Sequence, residues 1–327
     1  MKLLVTGSAG HLGEALVRHL RAQGHAVTGL DVMASAHTDV VGSIGDAALV
    51  ARCLRGADAV LHAATLHKPH LATHGLADFV ATNVSGTLTL LEAAVAAGVG
   101  AFVFTSSTSA FGAALRPGPG QPAAWIDERV PPVARNVYGA SKVAAEDLCQ
   151  LVHQRHGLPC VVLRTARFFA EVDDDPERRG RHTDANIKLN ELTHRRVELQ
   201  DVVDAHLCAL QRAPALGFGR YIVSATTPFT RDDLAALRGR ADAVLRERVP
   251  AHAAPYRQLG YTMFGDIDRV YDNRLARDEL GWRPATDFAG AVARVAAGAD
   301  WRSPLAQAIG SKSYHPGRVF ADGPYPT

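Results

Sequence analysis

Tyr138 and Lys142 stand four residues apart in Tyr138-Gly139-Ala140-Ser141-Lys142, just after a proline-rich stretch. On a helix this spacing puts a phenol and an ammonium on one face, one turn apart. Such a pair suits general acid–base work on an alcohol or a carbonyl, because a nearby cation stabilises the phenolate and lowers the tyrosine pKa. Lys142 can also hold a cofactor ribose. The competing reading is two solvent-facing helix residues. Ser107 ends the run Phe102-Val103-Phe104-Thr105-Ser106-Ser107, where an apolar strand passes into a hydroxyl-rich turn. Ligands sit at the carboxyl ends of strands in parallel sheets, so Ser107 is placed to hydrogen-bond the same substrate oxygen as Tyr138. For Thr108 and Ser109, simple capping of the turn stays open.

A second constellation opens the chain. Lys2-Leu3-Leu4-Val5-Thr6 reads as a strand, and it runs through Gly7-Ser8-Ala9-Gly10-His11-Leu12-Gly13 into a helical pattern. This is the strand–turn–helix context that a dinucleotide pyrophosphate needs. Glycine lets the backbone approach the phosphates, and the helix start offers N–H groups and a positive dipole end. Gly7, Gly10, His11, Leu12 and Gly13 are the expected cradle. The next strand, from His25 to Leu30, ends at Asp31, eighteen residues past Gly13. A carboxylate there accepts hydrogen bonds from an adenosine ribose and repels a 2′-phosphate, which favours NAD over NADP. Alternatively Asp31 only caps the next turn.

These residues need a scaffold that brings strand ends together. Strands are expected at 2–6, 26–30, 59–62, 101–105 and 160–164, with helices at about 13–23, 46–54, 77–97 and 139–155. That alternation argues for an α/β, Rossmann-type doubly wound parallel sheet. Pro117, Pro119, Pro122, Pro131 and Pro132 mark a long loop before the Tyr138 helix, and loops of that length beside a strand end usually carry function. After residue 165 the alternation breaks. The segment Glu171–Arg181 is charged and rich in breakers, and reads as a solvated, mobile loop. Arg196-Val197-Glu198-Leu199 reads as a strand, with Asp201 capping a helix through Leu210; Tyr221-Ile222-Val223 reads as another strand. A polar tail carries Trp301, Tyr314, Phe320 and Tyr325. The expected organisation is a cofactor domain over 1–165 with returning segments at about 196–225. Residues 166–195 and 226–327 then form a smaller, discontinuous substrate lobe.

Composition removes several classes. The chain has 327 residues, 47% apolar, with a net charge of +2, and no basic tract is interleaved with aromatics, so nucleic acid is not an expected partner. No run of about 20 apolar residues is evident, so no membrane span is expected. The first strand begins at residue 2, which leaves no room for a leader. Cys53, Cys149, Cys160 and Cys208 are widely spaced and read as reduced, mostly buried thiols, in keeping with a cytoplasmic protein. His67, His70 and His74 recur at helix-like intervals but straddle Pro69 with no companion ligand, so they are expected to be solvated or to line a pocket, and no metal is expected.

Together these residues resemble the extended short-chain dehydrogenase/reductase family, in its NAD-dependent epimerase/dehydratase branch, which includes UDP-galactose 4-epimerase. The resemblance rests on the glycine pattern, Asp31, His62-Ala63-Ala64, Asn83-Val84-Ser85-Gly86-Thr87, the Ser107 turn and the Tyr138/Lys142 pair. It covers about residues 1–225 and resumes at Asn273–Pro284. It implies that Asp46 bonds the adenine amino group, that Ala63 and Ala64 line the cofactor path, and that Asn83 stabilises the cofactor side of the site. It further implies Tyr138 as the acid/base, Lys142 as its electrostatic partner and ribose anchor, and Ser107 as the second hydrogen-bonding group. The helices of Asn83 and Tyr138 commonly form a dimer-making bundle in this family, so a homodimer is expected.

Two departures bear on the substrate. Dehydratases of this branch carry an Asp-Glu pair where this chain has Thr108 and Ser109, so water loss is disfavoured. Sugar-nucleotide enzymes of the branch usually carry Arg-x-x-Asn where this chain has Arg164-Thr165-Ala166-Arg167. The segment from Arg167 to Arg196 is short for their nucleotide-gripping insert. Arg167 either clamps a carboxylate or phosphate with its planar fork or forms an ion pair with Glu171, Asp173 or Asp174. The expected activity is NAD-dependent hydride transfer at a secondary alcohol carbon of a sugar, in particular a sugar nucleotide, ending in epimerisation or net oxidation. The alternatives are a dehydrogenase of a smaller, non-nucleotide substrate and a catalytically silent NAD sensor or scaffold.

Overall fold

The computed structural model describes residues 1–312, so Tyr314, Phe320 and Tyr325 of the expected tail lie outside the described residues. Among the described residues nine strands form, β1 Lys2–Thr6, β2 Ala26–Asp31, β3 Val40–Val41, β4 Ala59–His62, β5 Ala101–Ser107, β6 Ala124–Ile126, β7 Cys160–Thr165, β8 Phe218–Val223 and β9 Arg269–Tyr271. Seven of them make one parallel sheet in the order β3-β2-β1-β4-β5-β7-β8. The chain leaves β1 toward β2 on one side and returns to β4 on the other. The crevice where ligands bind in such sheets therefore opens above β1, at the reversal of strand order.

Alternation along β1 explains why helices cover both faces. Leu3 and Val5 point into a core shared with Leu12, Leu16 and Val202, which come from the helices His11–Ala22 and Leu199–Leu216. Leu4 points the other way, to Val50, Leu90 and Cys149 on the helices Ala47–Cys53, Gly86–Ala96 and Val137–His156. A strand apolar on both faces is what a sheet covered on both sides requires. A third apolar cluster lies apart and draws mainly on the C-terminal third, with Leu189, Leu237, Leu245, Tyr256, Val270 and Phe288.

Several elements depart from the sequence reading. The expected strand 196–199 is only a single bridge between Arg167 and Arg196, because Glu198 accepts the Gln200 N–H and starts the helix there. Asp201 is accordingly not the cap. It is buried in the first turn, where its carboxylate accepts the N–H groups of Ala285 and Thr286 and pins the C-terminal segment. The segment beginning at Glu171 is not simply solvated, since Glu171 and Asp173 are buried by ion pairing. The proline-rich loop contains β6, which pairs in parallel with β9 from far down the chain. One helix, Leu76–Ala96, has the length and a mean hydropathy of 1.3 sufficient to cross a membrane, against the sequence reading that no such stretch exists. Here it packs against the helices Val137–His156 and Ala47–Cys53.

Candidate active site

The glycine turn closes against β4 so tightly that side chains are excluded. Gly7 has φ +76, and a Cβ there would lie 2.7 Å from the Ala64 amide nitrogen. A Cβ on Gly13 would meet the Gly7 carbonyl oxygen at 1.9 Å. Gly10 is the N-cap of the helix His11–Ala22 and makes no side-chain cap, which leaves first-turn N–H groups for a ligand. Gly7, Gly10, His11, Leu12, Gly13, Asp31, Ala63, Ala64, Tyr138 and Lys142 all line one cleft. This bare backbone cradle, with a carboxylate at one end and the phenol and amine at the other, fits a dinucleotide such as NAD.

Asp31 caps the turn and also has a place in the cleft wall. It lines the cleft, and its carboxylate accepts the Met33 N–H at 2.9 Å and the Ala9 N–H at 3.0 Å, tying β2 to the glycine turn. Each carboxylate oxygen keeps a second acceptor site for a ribose hydroxyl. Asp31→Ala is expected to weaken NAD more than NADP, measured as the two dissociation constants; equal losses would show that Asp31 serves the turn alone. Asp46 is placed otherwise. Its carboxylate caps the helix Ala47–Cys53 through the Leu49 N–H at 3.0 Å, and Gly42, Ser43 and Ile44 line the cleft near it instead.

Asn83 stands behind the wall rather than in it. It lies in a π-helical stretch, Val80–Ser85, a widening of the helix often found at functional sites. Its side chain accepts the Leu66 N–H at 2.7 Å, donates to the Leu66 carbonyl at 2.9 Å and donates to Ser141 Oγ at 2.9 Å. Asn83 thus fastens the loop after β4 to the helix that bears Tyr138.

Asn136 caps that helix through the Gly139 N–H, and Tyr138 follows in its first turn, buried, at the wall shared with a second cavity. Burial pushes the phenol up to about 12, and a hydrogen bond from Ser107 acts against this rise. Lys142 does not bond the phenol. Its Nζ donates to the Thr105 carbonyl at 2.8 Å and lies over the Phe104 ring. The strand end thus captures the amine that the sequence reading aimed at Tyr138. Burial lowers Lys142 to about 7 despite the neighbouring Glu146 carboxylate.

His67 lines both cavities, one of the two places the sequence reading allows it, and what that reading misses is its contact with Tyr138. Its ring stacks on Tyr138 with centroids 4.9 Å apart, and its Nε2 is 3.4 Å from the Tyr138 oxygen. Burial and the Lys142 charge lower its pKa to about 3, so it is neutral. His70 accepts the His67 N–H at 2.7 Å, and His70 and His74 meet edge to face. Among the described residues no three His, Cys, Asp or Glu side chains gather as a metal site. Cys149 and Cys160 are buried and Cys53 and Cys208 half-buried, all as free thiols.

The second cavity is lined by Ser107, Thr108, Ser109 and Tyr138 together with Lys68, Arg135, Arg167, Arg195, Asp268 and Arg269. Of the two roles open to Arg167, the structure displays ion pairing, with Asp173, Asp174 at 2.8 Å and Glu191 at 3.0 Å. Lys68 joins Asp174 at 2.7 Å, so these charges form one network beside the cavity.

Relatives share this architecture along most of the chain. A dTDP-glucose 4,6-dehydratase of Streptomyces antibioticus is 31% identical over 92% of each chain. A UDP-glucose 4-epimerase of Azospirillum brasilense is 27% identical over 94% of each. Among solved structures, a short-chain dehydrogenase/reductase superfamily protein of Agrobacterium tumefaciens with bound NAD superposes with a TM-score of 0.64 at 25% identity, over 91% of this chain and 96% of that one. Residues 3–223 match the family described as NAD dependent epimerase/dehydratase. With the glycine cradle, Asp31 and the Tyr138/Lys142 pair lining one cleft, this chain belongs to that family, as an NAD-dependent enzyme of the extended short-chain dehydrogenase/reductase type.

Proposed function

We propose that this enzyme transfers hydride at a secondary alcohol carbon of a sugar carried on a nucleotide. The observation that carries this reading is the position of Tyr138, in the wall common to the cofactor cleft and the second cavity, whose lining includes several arginines. Guanidinium groups suit the paired anionic oxygens of a nucleotide diphosphate, and the relatives above are named for UDP-glucose and dTDP-glucose.

Bound NAD supplies the carbon that accepts or returns hydride. The chain supplies the proton chemistry. Tyr138 holds its proton at rest because it is buried, so it is ready to donate to a ketone oxygen. In the oxidative direction it first gives up that proton to solvent, and the phenolate, favoured by the Ser107 hydrogen bond, then takes the substrate hydroxyl proton. Lys142, fixed on the Thr105 carbonyl at the cofactor side, anchors the ribose and offsets negative charge. Thr108 and Ser109 lack the acidity that water loss needs near neutral pH, which favours epimerisation or net oxidation over dehydration.

The residues 1–165 with 196–225 are read as the cofactor domain, and 166–195 with 226–327 as the substrate lobe, supported by the apolar cluster of Leu189, Leu237, Leu245 and Phe288, although Leu280, Trp282 and Ile309 pack in the cofactor core. A cytoplasmic homodimer completes the proposal. Leu76, Val80 and Leu151 are exposed on the two helices that would pair with a second copy, and free thiols suit a reducing compartment.

The test is to denature the purified enzyme, identify the released dinucleotide by mass spectrometry, and screen sugars and sugar nucleotides. Isomer formation with retained cofactor supports an epimerase, and stoichiometric free NADH a dehydrogenase. Turnover of small alcohols alone would replace the sugar-nucleotide reading.

A further inference from the structure

The last described residues return to the glycine turn. Lys312 follows the helix Pro304–Ile309, and its backbone N–H donates to His11 Nε2 at 3.1 Å and to Glu171 Oε1 at 2.9 Å. Ser311 Oγ donates to the same Glu171 oxygen at 2.9 Å, and His11 Nε2 lies 3.2 Å from it. His11 begins the helix behind the glycine turn, whereas Glu171 belongs to the loop after β7. The segment is therefore held by two separate elements, of which the His11 helix also lines the cleft. Its side chain completes the lining, since Lys312 faces the space shared with Gly10, His11, Leu12 and Gly13.

The electrostatics give this placement a purpose. Glu14 lies one turn into the helix, with only 5% of its side chain exposed. A buried carboxylate there repels the diphosphate that the helix start has to receive. Arg18, one turn further on, pairs with Glu14 at 2.6 Å but is itself more than a third exposed. Lys312 Nζ is the second partner, bonding Glu14 Oε2 from the cleft side. Burial opposes ionisation of Glu14, but Lys312 and then Arg18 outweigh it and hold the carboxyl below its usual range. An ammonium has three donors, and among the described residues only Glu14 takes one.

We propose that Lys312 is a further cofactor-binding residue: its ammonium offsets Glu14 and contacts the NAD diphosphate, while Glu171 and His11 hold the Ser311–Lys312 segment beside the glycine turn. This rests on the NAD cofactor but not on the identity of the sugar substrate. A consequence is slower cofactor release, because the diphosphate must break its contact with Lys312 to leave.

The experiment uses the full-length holoenzyme and measures NAD release after dilution into an NAD-consuming scavenger, for Lys312→Ala, Lys312→Arg and Glu171→Ala. Loss of one hydrogen bond to a charged group predicts release about tenfold faster in Lys312→Ala. Lys312→Arg should stay near the parent, and Glu171→Ala should also release NAD faster. Affinity for ADP should fall in Lys312→Ala while that for adenosine, which lacks phosphate, is unchanged. Melting temperatures of the NAD-free proteins, equal within a few degrees, exclude a folding defect. Unchanged NAD release in Lys312→Ala, or equal losses for ADP and adenosine, would overturn the assignment. Should the parent hold no NAD at all, it is the family cofactor that fails; should its substrate not be a sugar nucleotide, these results still stand.

Discussion

Tyr138→Phe is expected to lower turnover by about 10²–10⁴-fold, the usual contribution of a positioned acid or base, while leaving NAD bound. The substitution deletes one hydroxyl and keeps a ring that is buried and stacked on His67, so the wall between the two cavities survives. The hydroxyl lies beside Ser107 and His67 Nε2 and bonds no atom of the glycine turn, which is why cofactor affinity should hold. Steady-state turnover on the identified substrate, with NAD content measured in parallel, checks both halves. Turnover near that of the parent would remove Tyr138 from the mechanism. Joint loss of turnover and NAD would show a structural role instead.

Gly13→Ala should abolish useful cofactor binding. The new Cβ would lie 1.9 Å from the Gly7 oxygen, 2.5 Å from the Gly7 carbonyl carbon and 2.9 Å from Ser8 Cα, all of them backbone atoms of the turn that cradles the phosphates. No side-chain rotation relieves that clash, so the turn must move. Overpacking of this kind costs about 1–3 kcal/mol of stability. Displacing two charge-assisted hydrogen bonds to the diphosphate costs about another 3 kcal/mol of affinity, roughly a hundredfold. Calorimetric titration with NAD and the melting temperature of the NAD-free protein test the two parts. Gly180→Ala, at an exposed position with nothing within 4 Å of the added carbon, is the control and should change neither. An NAD affinity for Gly13→Ala within threefold of the parent would contradict the cradle.

The contrast between the strands and the region after residue 165 shows what a single sequence carries. β1, β4, β5 and β7 formed where unbroken apolar runs met turn residues, because a strand buried on both faces needs no alternation to be recognised. The stretch 196–199 failed by the same test. Val197 and Leu199 alternate with polar residues as in a strand, yet the carboxylate of Glu198 caps a helix there. A cap is a local hydrogen bond between one side chain and one N–H, and two or three residue types leave it undecided against a strand edge. Likewise the loop from Glu171 reads as solvated charge: the pairing of Arg167 with Asp173 and Asp174 is one of two roles the sequence leaves open, but Lys68 and His11 come to Asp174 and Glu171 from far along the chain.

The sequence by itself determined the doubly wound sheet, the glycine cradle, Asp31 and the Tyr138/Lys142 pair, because each is local: a turn needing no Cβ, a strand end, a four-residue helical interval. Only the tertiary structure decided which groups those residues face. Lys142 points to the Thr105 carbonyl, His67 lies against the phenol, Asn83 fastens the wall from behind, and Lys312 returns from 298 residues away to Glu14. Such partnerships arise when the core folds elements against one another, and no spacing along the chain records them.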